Sequence, residues 1–203
     1  MKLFLILLFN FFYITLCNVY ITLNNKNHIH ITTQIDSETR IQLINDTQRL
    51  DAEEIYLYID SPGGQVFEGN KIIEYIHYME NTGHNISCIA QSAYSMAFTI
   101  FQHCPVRYVT NTASLMQHQM SLALFDSLEH INGYISMINQ VNQDNLLYLS
   151  DKLDMELLDL KEKINNDWWI YGEDIFKYKL ADSYATVGCD VQLLQENKCP
   201  LVN

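Results

Sequence analysis

The sequence predicts an α/β domain whose sheet is mainly parallel, and three observations carry that reading. Short β-prone runs alternate with helical stretches along most of the chain. The run Ile55-Tyr56-Leu57-Tyr58-Ile59 stops at Asp60-Ser61-Pro62-Gly63-Gly64, a strand-to-helix turn that uses two of the seven glycines side by side. The chain has 203 residues, 48% of them hydrophobic, which is enough for one sizeable core.

The elements follow in chain order. After Lys2, residues 3–17 are apolar and too short for a bilayer span, which needs about 20 residues. They fit a secretory signal peptide, with Thr15 and Cys17 at the −3 and −1 positions of a cut before Asn18. The alternatives are a buried N-terminal strand or an uncleaved anchor running on through Val19-Tyr20-Ile21. The signal reading leaves residues 18–203 as the mature domain. His28-Ile29-His30-Ile31 reads as a strand, and 37–50 as a helix with Ser37 as N-cap and Ile41, Leu43 and Ile44 on its apolar face. Residues 68–80 form a helix with a stripe of Ile72, Ile73, Ile76 and Met79. A short buried strand at 85–90, an apolar helix at 95–102 and two strands at 107–109 and 114–116 come next. Residues 127–149 break the rhythm: Leu128, Ile131, Ile135, Ile138, Val141 and Leu149 recur at helical spacing, and such a helix calls for a second subunit to cover it.

Composition excludes several classes. With 24 acidic against 12 basic residues and a net charge of −12, the chain lacks the clustered Lys and Arg of an electrostatic nucleic-acid binder. Seven Gly and three Pro exclude collagen-like and low-complexity chains. Without Cys17, four cysteines remain, an even number that permits two disulfides in an oxidising compartment. Cys189 and Cys199 are the favoured pair, whereas Cys88 reads as core. No CxxC spacing suggests zinc, and His28 and His30 share a strand face in a pattern that chance polarity explains, so no metal is expected. No GxxxxGK[ST] phosphate loop occurs, and no cofactor is expected. Two sequons, Asn45-Asp46-Thr47 and Asn85-Ile86-Ser87, matter only in a glycosylating lumen.

Four segments hold residues capable of chemistry. Gly63-Gly64 lets main-chain N–H groups approach a ligand, as an oxyanion site requires, though taken alone it reads first as an ordinary strand-to-helix turn. In Gln91-Ser92-Ala93-Tyr94-Ser95-Met96-Ala97, a Ser precedes an apolar helix, where it serves as a cap or as a nucleophile at the positive helix end. Met116-Gln117-His118-Gln119 places a His just beyond a strand, and Asn166-Asp167-Trp168-Trp169 sets an acid beside two large aromatics. In chain order these supply a nucleophile, a base, an orienting carboxylate and backbone donors, the parts of an acyl-transfer site.

Together these segments resemble the Clp protease proteolytic subunit family. Residues 55–64 (IYLYIDSPGG) look like its strand and turn. Arg107-Tyr108 through Leu115-Met116-Gln117-His118-Gln119 is similar, without a gap, to its Arg-Tyr … Val-Met-Ile-His-Gln segment. Asn166-Asp167-Trp168 … Gly172-Glu173-Asp174 … Tyr178-Lys179-Leu180-Ala181-Asp182 resembles its Arg-Asp-x-Phe … Ala-Glu-Glu-Ala … Tyr-Gly-Leu-Ile-Asp ending, and Gln34-Ile35-Asp36 falls where it has Pro-Ile-Asp. The similarity runs over about residues 27 to 188. It implies the Clp/crotonase type of α/β fold, a superhelix of ββα units with a protruding handle helix. It also implies a serine endopeptidase acting on peptides or unfolded proteins through Ser95, His118 and Asp167 by way of an acyl-enzyme. Gly64 and Met96 would supply the oxyanion N–H groups, the substrate would bind as an added β-strand, and the chains would form a homo-oligomeric ring.

The departures from that pattern leave alternatives open. The family reads Gly-Gln-Ala-Ala-Ser-Met-Gly where this chain has one residue more; counting from Gln91 puts Tyr94 at the nucleophile position, and anchoring on Ser-Met selects Ser95. Ser95 is preferred, Ser92 is the reserve, and a catalytically silent subunit that assembles with active partners is the third reading. The family's His-Gln-Pro becomes His118-Gln119-Met120, and its N-terminal axial loop is replaced by the leader and residues 19–27, which speaks against an ATPase unfoldase partner. Membrane-associated relatives use a Ser–Lys pair, but no Lys lies between Lys71 and Lys152. An acyl-CoA enzyme on the same superfold is a further alternative, against which the ordered Ser, His and Asp motifs count.

Overall fold

The computed structural model describes residues 18–202, so the leader at 1–17 lies outside the described residues. The β-prone runs pair into one sheet. Its strands are β1 (Asn18–Leu23), β2 (His28–Ile31), β3 (Glu54–Ser61), β4 (Asn85–Tyr94), β5 (Val106–Gln117), β6 (Trp168–Tyr171) and β7 (Ser183–Cys189). The spatial order is β1-β7-β5-β4-β3-β2, every neighbour parallel, and β6 joins β5 antiparallel, off this path. Residues 19–21, left open between anchor and strand by their sequence, lie inside β1 and pair with β7.

Parallel neighbours need crossovers, and helices supply them. α1 (Ser37–Thr47) joins β2 to β3, α2 (Val66–Asn81) joins β3 to β4, and α3 (Met96–His103) joins β4 to β5. α4 (Leu128–Lys152), α5 (Leu157–Ile164), α6 (Glu173–Lys177) and α7 (Val191–Gln195) complete the chain. This is the mixed, parallel-dominated α/β architecture expected. Alternation along the central strands splits the core in two. Leu57, Ile59, Cys88 and Ala90 face the larger cluster under α1 to α6, whereas Tyr58 and Ile89 face a smaller one with Ile21, Leu23 and Leu193 of α7.

Several local expectations are corrected. The cap of α1 is Asp36, whose Oδ1 accepts from the Thr39 N–H at 2.9 Å, so Ser37 is the first helical residue. Only Leu43 of its three apolar residues is buried, and Ile41 is half exposed; α1 packs on β2, the last strand of the sheet, and on α2. The strands expected at 107–109 and 114–116 are one strand, β5, with an irregular step opposite Ala90 and Ser92 of β4. β4 runs four residues past Ala90, to Tyr94. Cys88 is buried as expected but is not free: it is bonded to Cys104, and Cys189 is bonded to Cys199. In α4, Ile138, Leu146 and Leu149 are buried, but Leu128 and Ile135 near its start are exposed. Among the described residues no helix is long and apolar enough to cross a membrane.

A polar latch closes the far end of α3. Arg107 is buried; its Nη1 donates to Gln102 Oε1 at 2.6 Å and its Nη2 to Asp182 Oδ1 at 2.8 Å. Gln102 in turn donates to the Leu180 carbonyl, and its own carbonyl accepts from the Tyr148 hydroxyl. The Arg-Tyr and Leu-Ala-Asp motifs of the sequence are therefore structural. They bind α3, β5 and the entry to β7 into one unit, and breaking a covered charge pair leaves an unpaired charge behind.

Beside this latch, His103 stacks on Tyr148 with ring centroids 3.7 Å apart, and neither of its ring nitrogens has a hydrogen-bond partner. Burial, helped by the nearby His77 and Lys152, pushes the His103 imidazole down to about 4. The unfolded chain takes up this proton near pH 6.5 and the folded chain refuses it until about 4, so stability falls as pH drops through that window and levels off below it. Burial lowers His28 and His30 as well, which adds to the same trend. Thermal melts between pH 7 and 4 are therefore expected to show a falling Tm, with a shallower fall in His103→Phe, which keeps the stack; an unchanged slope in that variant would refute the assignment.

Candidate active site

Three adjacent parallel strands end at the same edge of the sheet: β3 at Gly63-Gly64, β4 at Ser95 and β5 at His118. The carboxyl edge of such a sheet is where crevices form. At the β3 end, Ser61 Oγ donates to the Thr33 carbonyl at 2.6 Å and accepts from the Gly63 N–H at 3.1 Å. Ile35 forms a parallel bridge to Gly64: the Ile35 N–H donates to Gly63 O and the Gln65 N–H to Ile35 O, each at 2.8 Å. The Gly64 N–H is thereby left outside this ladder.

Gly63 has φ +90, and a Cβ there would lie 2.8 Å from Ser95 Cβ and 2.9 Å from Met96 N and would run into the Tyr94 carbonyl oxygen. A side chain is excluded by contact as well as by conformation. The paired glycines therefore bring one backbone against another. Gly69 on α2 does the same for the Met96 side chain, whose Sδ would be 2.9 Å from an added Cβ.

Ser95 sits at the turn from β4 into α3 with φ 55 and ψ −120, a conformation that L-residues rarely adopt. Its N–H donates to the Met116 carbonyl at 2.8 Å, and its carbonyl accepts from Thr99 N. The side chain makes no capping bond to α3. Instead, Ser95 Oγ lies 2.8 Å from His118 Nε2. Met96 is the first residue of α3, so its N–H has no intrahelical partner and stands free beside Ser95.

Ser92 and Tyr94 are placed elsewhere. Ser92 pairs with Ser114 inside the β4–β5 ladder. The Tyr94 hydroxyl shares a hydrogen bond with Ser114 Oγ at 2.7 Å. Only Ser95 of the three meets His118.

Asp167 reaches the site through the sheet. The β5–β6 ladder ends where Gln117 pairs with Trp168, and His118 and Asp167 are the next residues on the two sides, beyond its last paired position. Gln119 Nε2 donates to Asn165 Oδ1, a second tie between the two segments. Asp167 has φ 51 and is exposed, and among the described residues no hydrogen bond joins its carboxylate to His118. The structure thus joins Ser95 to His118 and leaves Asp167 just beyond the end of the β5–β6 ladder, unbonded. Trp168 is buried against Phe98 and Tyr178, whereas Trp169 points outward and is 59% exposed.

A cavity of about 40 Å³ opens beside Ser95 and His118. Met96, Leu146, Leu149 and Ile164 give it apolar walls, and Thr99, Gln117, Asn142 and Asn145 add polar groups. Of the α4 residues in this wall only Leu149 belonged to the helical stripe read from the sequence; Asn142, Asn145 and Leu146 were missed, because nothing local to 142–149 says which surface they meet.

The Clp protease family model matches residues 14–187. The chain belongs to the Clp protease family. ATP-dependent Clp protease proteolytic subunit 1 of Prochlorococcus marinus (strain MIT 9312) is 25% identical over 177 residues, spanning 81% of this chain and 87% of its own. ATP-dependent Clp protease proteolytic subunit 2 of Parasynechococcus marenigrum (strain WH8102) is 25% identical over 178 residues, spanning 82% and 86%. This Clp protease homologue ends with a segment beyond the family match, residues 188–203, in which α7 and the Cys189–Cys199 bond cover the smaller core cluster.

Gly63→Ala is expected to destabilise the protein by about 1–3 kcal/mol through backbone strain alone, before any steric contact is counted. Gly133→Ala, on α4 with open space around it, should instead stabilise by roughly 0.5–1 kcal/mol. Urea unfolding of both variants checks this; equal effects would mean that the close approach at Gly63 does not exist.

Proposed function

We propose that the protein is a serine endopeptidase acting on peptides or unfolded proteins. The observation that carries this is the 2.8 Å contact of Ser95 Oγ with His118 Nε2, made by a serine whose backbone turns its side chain away from capping α3. In the neutral tautomer with hydrogen on Nδ1, His118 Nε2 accepts the Ser95 proton as Oγ attacks the substrate carbonyl. The Gly64 and Met96 N–H groups would stabilise the resulting oxyanion. His118 returns its proton to the amine leaving group, an acyl-enzyme remains on Ser95, and water activated by the same imidazole hydrolyses it. Asp167 would fix the tautomer, and the apolar-walled cavity would take one substrate side chain.

The unbonded Asp167 carboxylate favours a second reading, a Clp-like subunit that is silent alone and assembles with active partners. The exposed Leu128 and Ile135 of α4 suit a subunit contact, so a homo-oligomeric ring belongs to either reading. The curated relatives are ATP-dependent by name; for this chain the rebuilt N-terminal region supports no ATPase partner. We further propose a secretory or membrane-anchored location, supported by the leader and by two disulfides formed from all four cysteines of residues 18–203.

A fluorophosphonate probe should label Ser95, as mapped by peptide mass spectrometry. Ser95→Ala should abolish the label, and His118→Ala should slow it by about 10²–10⁴-fold. No label on a folded oligomer would favour the silent subunit. Retention on a coenzyme A resin would move the reading to acyl-CoA chemistry instead. For the location, a free N-terminus at Asn18 is the expected result of N-terminal sequencing; an intact Met1 in the membrane fraction would show an anchor, and an intact Met1 in the soluble cytoplasmic fraction would sink the proposal.

A further inference from the structure

Tyr94 is the residue by which this chain departs from the family pattern just before the candidate nucleophile, and the structure gives it a specific contact. It closes β4 and pairs with Met116 of β5; Trp169 of β6 pairs with the same Met116 from the other side. Register partners share a face of the sheet, so Tyr94, Met116 and Trp169 form one row on the face opposite the larger core. The rings of Tyr94 and Trp169 meet edge to face, with centroids 5.2 Å apart and planes at 67°. The Tyr94 hydroxyl is anchored to Ser114 Oγ.

β6 needs such a hold. It is four residues long, and backbone pairing ties it to β5 alone. Its inner face is gripped by Phe98 of α3 through Trp168, and its outer face by Tyr94 through Trp169. Both jaws come from the segment around Ser95, one three residues after it and the other just before it. Asp167 precedes these two tryptophans directly, so their placement sets where its carboxylate stands relative to His118.

We propose that Tyr94 is a positioning residue: its ring clamps Trp169 and so fixes the end of β6 from which the Asp167 carboxylate, unbonded in this structure, turns to pair with His118, coupling the elbow that carries Ser95 to the strand that carries the acid. The inference rests on the peptidase reading for its consequence in rate, but not for its geometry. A residue that only filled space would weaken the fold without acting through Asp167.

The test follows Ser95 labelling by a fluorophosphonate probe in the full chain. Tyr94→Phe keeps the ring and should label within about threefold of wild type; Tyr94→Ala and Trp169→Ala should each slow labelling by about 10- to 100-fold, as misplacement of a catalytic group does. The double variant should be no slower than either single, because both remove one contact. In an Asp167→Asn background, Tyr94→Ala should change nothing further. Labelling of Tyr94→Ala at the wild-type rate, or a loss that adds fully to that of Asp167→Asn, overturns the clamp. A readout independent of activity is the low-field ¹H resonance of an imidazole Nδ1 proton shared with a carboxylate. It should be present in wild type and Tyr94→Phe and absent in Tyr94→Ala and Asp167→Asn; its absence from wild type, or its persistence in Tyr94→Ala, overturns the clamp even in a chain that never labels. Failure of wild type to label, with this resonance behaving as expected, sinks the peptidase reading and leaves the clamp standing.

Discussion

The backbone of Ser95 is bent into a conformation that costs on the order of 1–3 kcal/mol, and most of the surrounding structure is arranged so that no cheaper alternative exists. On one side the side-chain-free Gly63-Gly64 backbone presses against it. Behind it, α3 is buried along its length from Met96 to Gln102 and cannot rotate to relieve the turn. The far end of α3 is held twice, by Gln102 in the Arg107–Asp182 latch and by the Cys104 link to Cys88 in β4. That link closes a loop of which Ser95 is part, so the strand before the turn and the helix after it are tied together. The outcome is a hydroxyl that meets an imidazole rather than its own helix.

Parallel pairing does the remaining alignment. When β3, β4 and β5 run side by side in the same direction, their carboxyl ends share one edge, and residues far apart in the chain become neighbours without any direct attraction between them. The antiparallel β6 then reverses direction, and its ladder with β5 closes at Gln117 and Trp168, one residue short of His118 and Asp167. Such a site depends on the ladder staying in register, since a one-residue slip would move every side chain to the opposite face.

The two sides of the sheet are finished differently. The side beneath α1 to α6 carries the larger core and one wall of the cavity beside Ser95. The other carries a smaller cluster closed by Leu193, with Cys189–Cys199 drawing the terminal segment back onto it. Removing Leu193 and Cys199 from water contributes to stability roughly in proportion to apolar area, at about 25 cal/mol per Å². This gives the C-terminal extension a physical reason to stay folded against the sheet.

Much of this was legible in the residue order. The strand runs, the glycine pair and the stripe of α2 report local periodicity and backbone freedom, and these survive folding because they depend only on near neighbours. The order of the Ser, His and Asp segments pointed to the site for the same reason: each sits at an element boundary that its own sequence marks. What only the tertiary structure decided involves partners distant in the chain. Ser95 rather than Ser92 or Tyr94 faces His118, because register and the turn at φ 55 choose which hydroxyl protrudes. Cys88 joins Cys104 because a strand and the end of a helix bring their Cα atoms to 5.9 Å, which neither spacing nor hydrophobicity could reveal. Arg107 and Asp182, 75 residues apart, form a latch rather than a surface pair because folding buries one of them. Sequence specifies what each segment can do locally; the sheet determines which segments meet, because its register sums weak pairings along its whole length.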